Sequence, residues 1–310
     1  MPQDRLNLAV RGLLKRFRRQ RPLRSGSLLV TILGDAIAPR GGAVTLRSLI
    51  KLAQPFELPE RLVRTSVGRL AQDGWLSSRR AGRQSEYALT PHGRTRFAEA
   101  TQRIYSEPPR DWDHRWTLLL LAPAASAADR ERIREEMLWL GFGQLAPGVL
   151  AHPSRSVTDT QKQLAEMKMK NHGIVLQADS GGLTQDRFLI SAGWDLDELG
   201  RDYERFVAGF AAIRAALGNG NEITPEHAFV VRTLLIHEYR KIHLRDPLLP
   251  HSLLPKDWIG AEAYTLCQSL YRKVFKEAEA YVSDTAVNLG GPLPSPMRET
   301  RMRFGGLGFS

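Results

Sequence analysis

The stretch "HEYRKIHLRDPLLP", residues 237–250, gathers the side chains most able to do chemistry: two histidines, a glutamate, an aspartate and three cations. A metal or acid–base centre would need its ligands on one face of one element. A zinc-protease helix carries histidines four residues apart, but the residue four beyond His237 is Lys241. His237 and His243 are six apart, about 240° around a helix, so they diverge. No second cluster compensates, because the chain holds one cysteine, Cys267, and the acidic candidates near strand ends, Asp111 and Asp179, form no metal constellation. A nucleophile elbow, a GxGxxG loop and a P-loop are all absent. These residues predict neither a catalytic nor a metal site.

Two readings of the stretch stay open. As a structural helix end, Arg240, Lys241 and Arg245 sit where the helix dipole favours cations, and Asp246 before Pro247 suits a turn. As an anion clamp, the same cations beside the aromatic surface of Tyr239 and Trp258 could hold a phosphate-bearing ligand with a hydrophobic end.

The elements that must position these groups follow from charge and periodicity. Residues 1–105 hold 20 Lys/Arg against 7 Asp/Glu, a net of +13, whereas the remaining 205 carry 24 against 26. One third of the chain is built to face a polyanion. The basic N-terminus carries few large apolar residues to insert into a membrane, which favours nucleic acid. No apolar run is long enough to span a bilayer, and the N-terminus lacks the apolar core of a secretory signal, so a cytoplasmic protein is expected. A single cysteine excludes an intrachain disulfide.

Within the basic third, "SGSLLVTILGDAIAP" has the apolar stripe of an amphipathic helix. In "VTLRSLIKLAQPF", Thr45 can cap a short helix that Pro55 ends. "LPERLVRTSVGRLAQDGW" predicts a longer helix from Pro59 to Gly74, with Leu62, Val63, Ser66, Val67 and Leu70 inward and Arg61, Arg64, Thr65 and Arg69 on the free side. "GWLSSRRAGRQSEYALT" reads as a hairpin with a basic tip at Arg79, Arg80 and Arg83. Three helices and a basic hairpin are the order of a winged helix, whose recognition helix reads base edges while the wing follows phosphates. DNA is preferred over RNA, since no RNP-type strand or KH-type loop occurs. A further helix, "TPHGRTRFAEATQRI", and the linker "YSEPPRDWDH" follow.

The middle region alternates strand, helix, two strands flanking Pro147-Gly148, helix ending at Gly173, and strand, a βαββαβ ferredoxin-like pattern. Three helical segments with aromatic stripes then run to about residue 285.

The stretches "RTSVGRLAQDGWL", "GRQSEYALTPHGR", "GFGQLAPGV", "WDLDELGRDYERF" and "HEYRKIHLRDPLLPHSLLPKDWIG" resemble the phenylacetic acid degradation operon negative regulators, the PaaX-type transcriptional repressor family. That resemblance implies a homodimeric repressor released by a coenzyme A thioester, phenylacetyl-CoA or a related aryl-CoA. Two winged helices on a symmetric dimer would read two half-sites of a near-palindromic double-stranded DNA operator, and no cofactor is expected. The competing class is a nucleic-acid-processing or CoA-thioester enzyme built on the ferredoxin-like domain. The expected architecture is a multidomain α+β chain. It begins with a basic flexible tail (1–24) and a winged helix-turn-helix (25–105). A ferredoxin-like dimerisation domain (112–182) and a mainly helical effector-sensing domain (185–290) follow, then a flexible tail (291–310).

Overall fold

The computed structural model describes residues 2–20, 25–107, 112–218 and 222–308. The fold mixes helices with antiparallel sheets and divides into two compact units that interleave along the chain. The first unit takes residues 1–106, 204–241 and 261–310; the second takes 107–203 and 242–260. These limits cut across the expected chain-order boundaries, because residues 242–260 leave the C-terminal helices and join the second unit.

The first unit opens with helix α1 (Pro2–Arg19). Its Leu6, Val10, Leu13 and Phe17 recur at helical spacing and are buried, while Arg5, Arg11, Lys15 and Arg19 stay exposed. The described part of residues 1–24 is therefore a packed amphipathic helix and not the expected flexible tail. Helix α2 (Ser25–Ile32) passes into a π-helical turn, Leu33–Ile37, and a 3₁₀ turn, Ala38–Arg40. Strand β1 (Ala43–Thr45), which periodicity did not reveal, leads into α3 (Leu46–Ala53). There the Thr45 hydroxyl accepts from the Ser48 amide at 3.2 Å, the cap expected from sequence. Helix α4 (Glu60–Gln72) begins one residue after Pro59, and the hairpin β2 (Leu76–Ala81) and β3 (Gln84–Leu89) follows, with β3 central between β1 and β2. Helix α5 (Pro91–Tyr105) closes this part.

In the second unit, β4 (Trp116–Leu121), α6 (Ala127–Trp139), β5 (Gly143–Ala146), β6 (Val149–His152), α7 (Val157–Glu166) and β7 (Gly173–Ala178) build a four-stranded antiparallel sheet ordered β5-β6-β4-β7. Helix α7 stops at Glu166, short of Gly173, and Lys168 takes a left-handed conformation after it. Ile133, Met137 and Leu164 from the two helices pack with Leu119 and Leu150 from the strands. A second cluster joins Trp116 and Ala151 to Ile190 of α8 (Leu183–Gly193) and to Leu249 and Leu253.

Helices α9 (Leu196–Gly218) and α10 (Pro225–His243) each contribute to both units, and α11 (Gly260–Thr285) belongs to the first. A two-stranded ribbon, β8 (Val287–Asn288) and β9 (Gly291–Pro292), precedes a 3₁₀ segment, Arg298–Gly305. Thr300, Arg303, Phe304 and Leu307 are buried, so the expectation of a flexible C-terminal tail fails for residues 291–308. No helix among the described residues is long and apolar enough to cross a membrane.

Candidate nucleic-acid interface

Helix α4 presents its arginines because its other side is committed. Val63, Ser66 and Val67 are buried, and the Ser66 hydroxyl lies 3.5 Å from that of Ser25 at the start of α2. Arg61, Arg64, Thr65 and Arg69 are all exposed. Arg64 is pre-aligned by Glu60 one turn earlier, with Nε 2.8 Å from Oε1. The Thr65 hydroxyl donates to the Arg61 carbonyl at 2.9 Å and keeps its lone pairs for a donor outside the helix. A carboxylate beside Arg64 is a weak, exposed partner that a phosphate or a guanine edge can replace.

The hairpin turns through Gly82 and Arg83. Gly82 has φ of 57°, and a glycine at the first central position suits the primed turns that match strand twist. Arg79, Arg80 and Arg83 are exposed. Arg79 pairs across the strands with Glu86 at 3.1 Å, and the other Glu86 oxygen accepts from the Leu289 amide at 2.7 Å. The base of the hairpin is fixed by Trp75, whose ring meets Phe97 of α5 edge-on at 5.5 Å. The Thr90 hydroxyl ties the same corner by donating to the Gly74 carbonyl at 2.6 Å. The exposed basic helix face and the basic hairpin meet at this corner within the first unit, where the Trp75 amide donates to the Leu70 carbonyl of α4 at 2.9 Å.

The cation and aromatic groups of residues 237–258 are distributed differently from a single ligand wall. Tyr239 is fully buried against Phe206 and Phe304. Arg240 fastens α10 to α2, donating from Nη2 to the Ser27 carbonyl at 2.7 Å and from Nε to the Thr31 hydroxyl at 2.8 Å. Burial lowers its pKa to about 10, partly offset by Tyr105 and Glu238, and it stays charged at neutral pH. Lys241 pairs with Glu238 at 2.6 Å. Arg245 and Trp258 belong to the second unit, where Arg245 pairs with Asp202 and Trp258 meets Tyr203 edge-on. The two histidines part company as well. His237 lies 3.3 Å from the Thr31 hydroxyl in the first unit, and His243 lies 3.0 Å from the Tyr203 hydroxyl in the second. These are contacts with other elements of each unit, and a clamp built on Tyr239 and Arg240 would have to open the core.

Asp179 accepts from the Gly181 amide at 2.7 Å, a turn contact, and Asp111 lies outside the described residues. Among the described residues no group of three or more His, Cys, Asp or Glu could hold a metal ion.

Sequence reasoning missed the most concentrated electrostatics of the first unit. Asp35, in the π-helical turn, accepts from Tyr105 at 2.6 Å, Tyr271 at 2.8 Å and Arg303 at 2.8 Å, and lies 2.9 Å from Arg232. Glu279 bridges Arg232 at 2.5 Å and Arg40 at 2.6 Å. Burial alone would raise the Asp35 pKa, but the two arginines and two tyrosines hold it below the usual carboxylate value. Burial also pushes Tyr105 and Tyr271 up, so both remain donors. The available signal was two ionic residues set in apolar runs, Asp35 in "LLVTILGDAIAP" and Arg232 in "HAFVVRTLLIH".

Three family models match in chain order: PaaX-like protein over residues 24–93, PaaX protein central Cas2-like domain over 109–190, and PaaX-like protein C-terminal domain over 194–284. The chain is 37% identical over 291 residues to the transcriptional repressor PaaX of Escherichia coli K12, covering 92% of each chain. It also resembles the solved structure of the uncharacterized protein Rv0674 from Mycobacterium tuberculosis. That likeness has a TM-score of 0.53 at 23% identity over 82% of this chain and 96% of that one, and it speaks to fold alone.

Proposed function

The chain belongs to the PaaX-like protein family, and from that membership together with the basic surface of its first unit we propose that it is a DNA-binding transcriptional repressor. It is a regulator and not an enzyme, as the E. coli relative is a repressor. The carrying observation is the exposed row Arg61, Arg64, Thr65 and Arg69 on α4, which meets the arginine-tipped hairpin at its base. In this reading α3 and α4 form the helix-turn-helix and β2–β3 is the wing. Helix α4 enters the major groove, where a guanidinium forks onto guanine, and Arg79, Arg80 and Arg83 lie along phosphates. The strand order β5-β6-β4-β7, with α6 and α7 packed on the sheet, supports a ferredoxin-like middle domain.

Two copies would read the half-sites of a near-palindrome, spaced by the geometry of the dimer. The regulated genes are a phenylacetate catabolic operon, and the releasing effector is an aryl-CoA thioester such as phenylacetyl-CoA. Such an effector acts only by preferring a dimer shape whose recognition helices no longer fit the spacing. The test is a gel shift of the DNA upstream of the protein's own operon, with and without phenylacetyl-CoA. A specific shift abolished by the thioester is expected. A shift no tighter than on unrelated DNA sinks the repressor reading, and a specific shift indifferent to the thioester sinks the effector.

A further inference from the structure

A cavity of about 450 Å³ opens in the first unit between the π-helical and 3₁₀ turns that follow α2, helix α5 and the C-terminal segment. Pro39, Leu89, Phe97, Ala98 and Met297 make its walls largely apolar, and Arg303 lines it too. A concave, mostly apolar space of this size with one or two convergent polar groups is the usual form of a small-molecule site.

Arg303 supplies the polar group. Its side chain is only 4% exposed, yet all its hydrogen bonds run through Nη1, to the Asp35 carbonyl at 3.1 Å, the Asp35 carboxylate at 2.8 Å and the Tyr271 hydroxyl at 2.6 Å. Nε and Nη2 make no hydrogen bond among the described residues, and the guanidinium carbon lies over the Tyr105 ring, 4.3 Å from its centroid. These two atoms form the edge of a guanidinium that grips a carboxylate in two parallel bonds. The surrounding charge points the same way. Arg40, Arg232 and Arg303 outnumber Asp35 and Glu279 by one, and Arg94 adds a cation at the cavity wall. Glu299 also lines the cavity and is the group that an anion must avoid.

The backbone is bent to hold this arrangement. The 3₁₀ segment breaks at Arg303, and the next residue, the buried Phe304, adopts a left-handed conformation with φ of 53°. Such strain in a bulky residue persists where the surroundings over-determine it, and it clusters at binding sites. On the opposite side Gly34 lets α5 come close, because a Cβ there would lie 2.8 Å from the Phe97 ring.

We propose that this cavity binds a small organic monocarboxylate with an apolar body, its carboxylate held by Arg303 and its body against Phe97 and Leu89. The cavity is too small to enclose the nucleotide and phosphates of a coenzyme A thioester, and its proposed occupant is a free carboxylate. Binding here does not depend on the repressor reading. A consequence for DNA would travel through Phe97, which carries the occupant on one side and buttresses Trp75 at the hairpin base.

The full-length protein, free of DNA, is titrated calorimetrically with octanoate and 3-phenylpropionate, and with octanamide as the uncharged control. At least one carboxylate should bind saturably with a dissociation constant below about 1 mM, and the amide at least about tenfold more weakly. Ala98→Phe and Thr101→Phe fill the space from the partly exposed side of α5 and replace no residue of the Asp35 cluster; each should abolish binding while leaving the melting temperature near that of the parent. Arg303→Lys, which keeps a cation for Asp35 but loses the fork, should weaken the carboxylates and leave the amide unchanged. The proposal falls if neither carboxylate binds below that limit, if octanamide binds equally well, or if a folded occluding variant binds like the parent. None of these results would touch the DNA-binding reading, which the gel shift tests separately.

Discussion

Replacing Asp35 by Asn probes the centre of the first unit. The carboxylate is 3% exposed and faces two guanidiniums as buried as itself, Arg232 at 2.9 Å and Arg303 at 2.8 Å. An amide keeps the shape and can still accept from Tyr105 and Tyr271, so the hydroxyls are not orphaned. What it removes is the charge. Arg232 retains Glu279, but Arg303 is left with no carboxylate among its described partners. Removing one member of a buried pair costs about 3–5 kcal/mol, and the retained tyrosine bonds place this case near the lower figure. For a unit of this size about 3 kcal/mol corresponds to a fall of about 6–12 °C in melting temperature. The pH dependence has a definite sign. The folded pKa of Asp35 lies below its ordinary 3.8, so its contribution is complete above that value and disappears as pH falls through the lower folded pKa. Thermal melts of parent and variant should therefore differ by a constant amount from neutral pH down to about pH 4 and converge only in stronger acid. Combining Asp35→Asn with Arg303→Met should cost clearly less than the sum of the singles. A loss under about 1 kcal/mol, or strict additivity of the pair, would refute the idea that this cluster carries the unit.

Arg64→Ala and Arg69→Ala should each weaken specific operator binding by about 1–3 kcal/mol in a gel shift if the side chain reads a base; unchanged affinity for both removes α4 from the groove. Neutralising Arg79, Arg80 or Arg83 should leave sequence preference intact and lower the salt dependence of binding by about one counterion per residue, measured as the slope of affinity against salt. Arg240→Met should cost about 2–3 kcal/mol in urea unfolding, because Ser27 and Thr31 lose a charged donor in a buried place. If that variant is as stable as the parent but selectively loses its effector response, Arg240 serves the ligand and not the fold.

Much of the organisation was written locally. Thr45 as a helix cap, the hairpin around Gly82, the outward set Arg61, Arg64, Thr65 and Arg69, and the middle succession of strands and helices follow from periodicity, capping and turn chemistry, which act between near neighbours in the chain. The spacing of Leu6, Val10, Leu13 and Phe17 was equally local, but ten cations in the first 50 residues masked it as a tail. The tertiary structure alone decided what the ionic and aromatic residues of the C-terminal half do. Periodicity says that Tyr239 or Arg232 sits on a face, and it is silent on what covers that face. Asp35, Arg232, Glu279 and Arg303 come from four distant segments, and only their convergence turns buried charges from a liability into a network. For the same reason "HEYRKIHLRDPLLP" could look like one site in sequence. Folding divides its residues between two units, because a contiguous stretch shares a chain but not a common set of long-range partners.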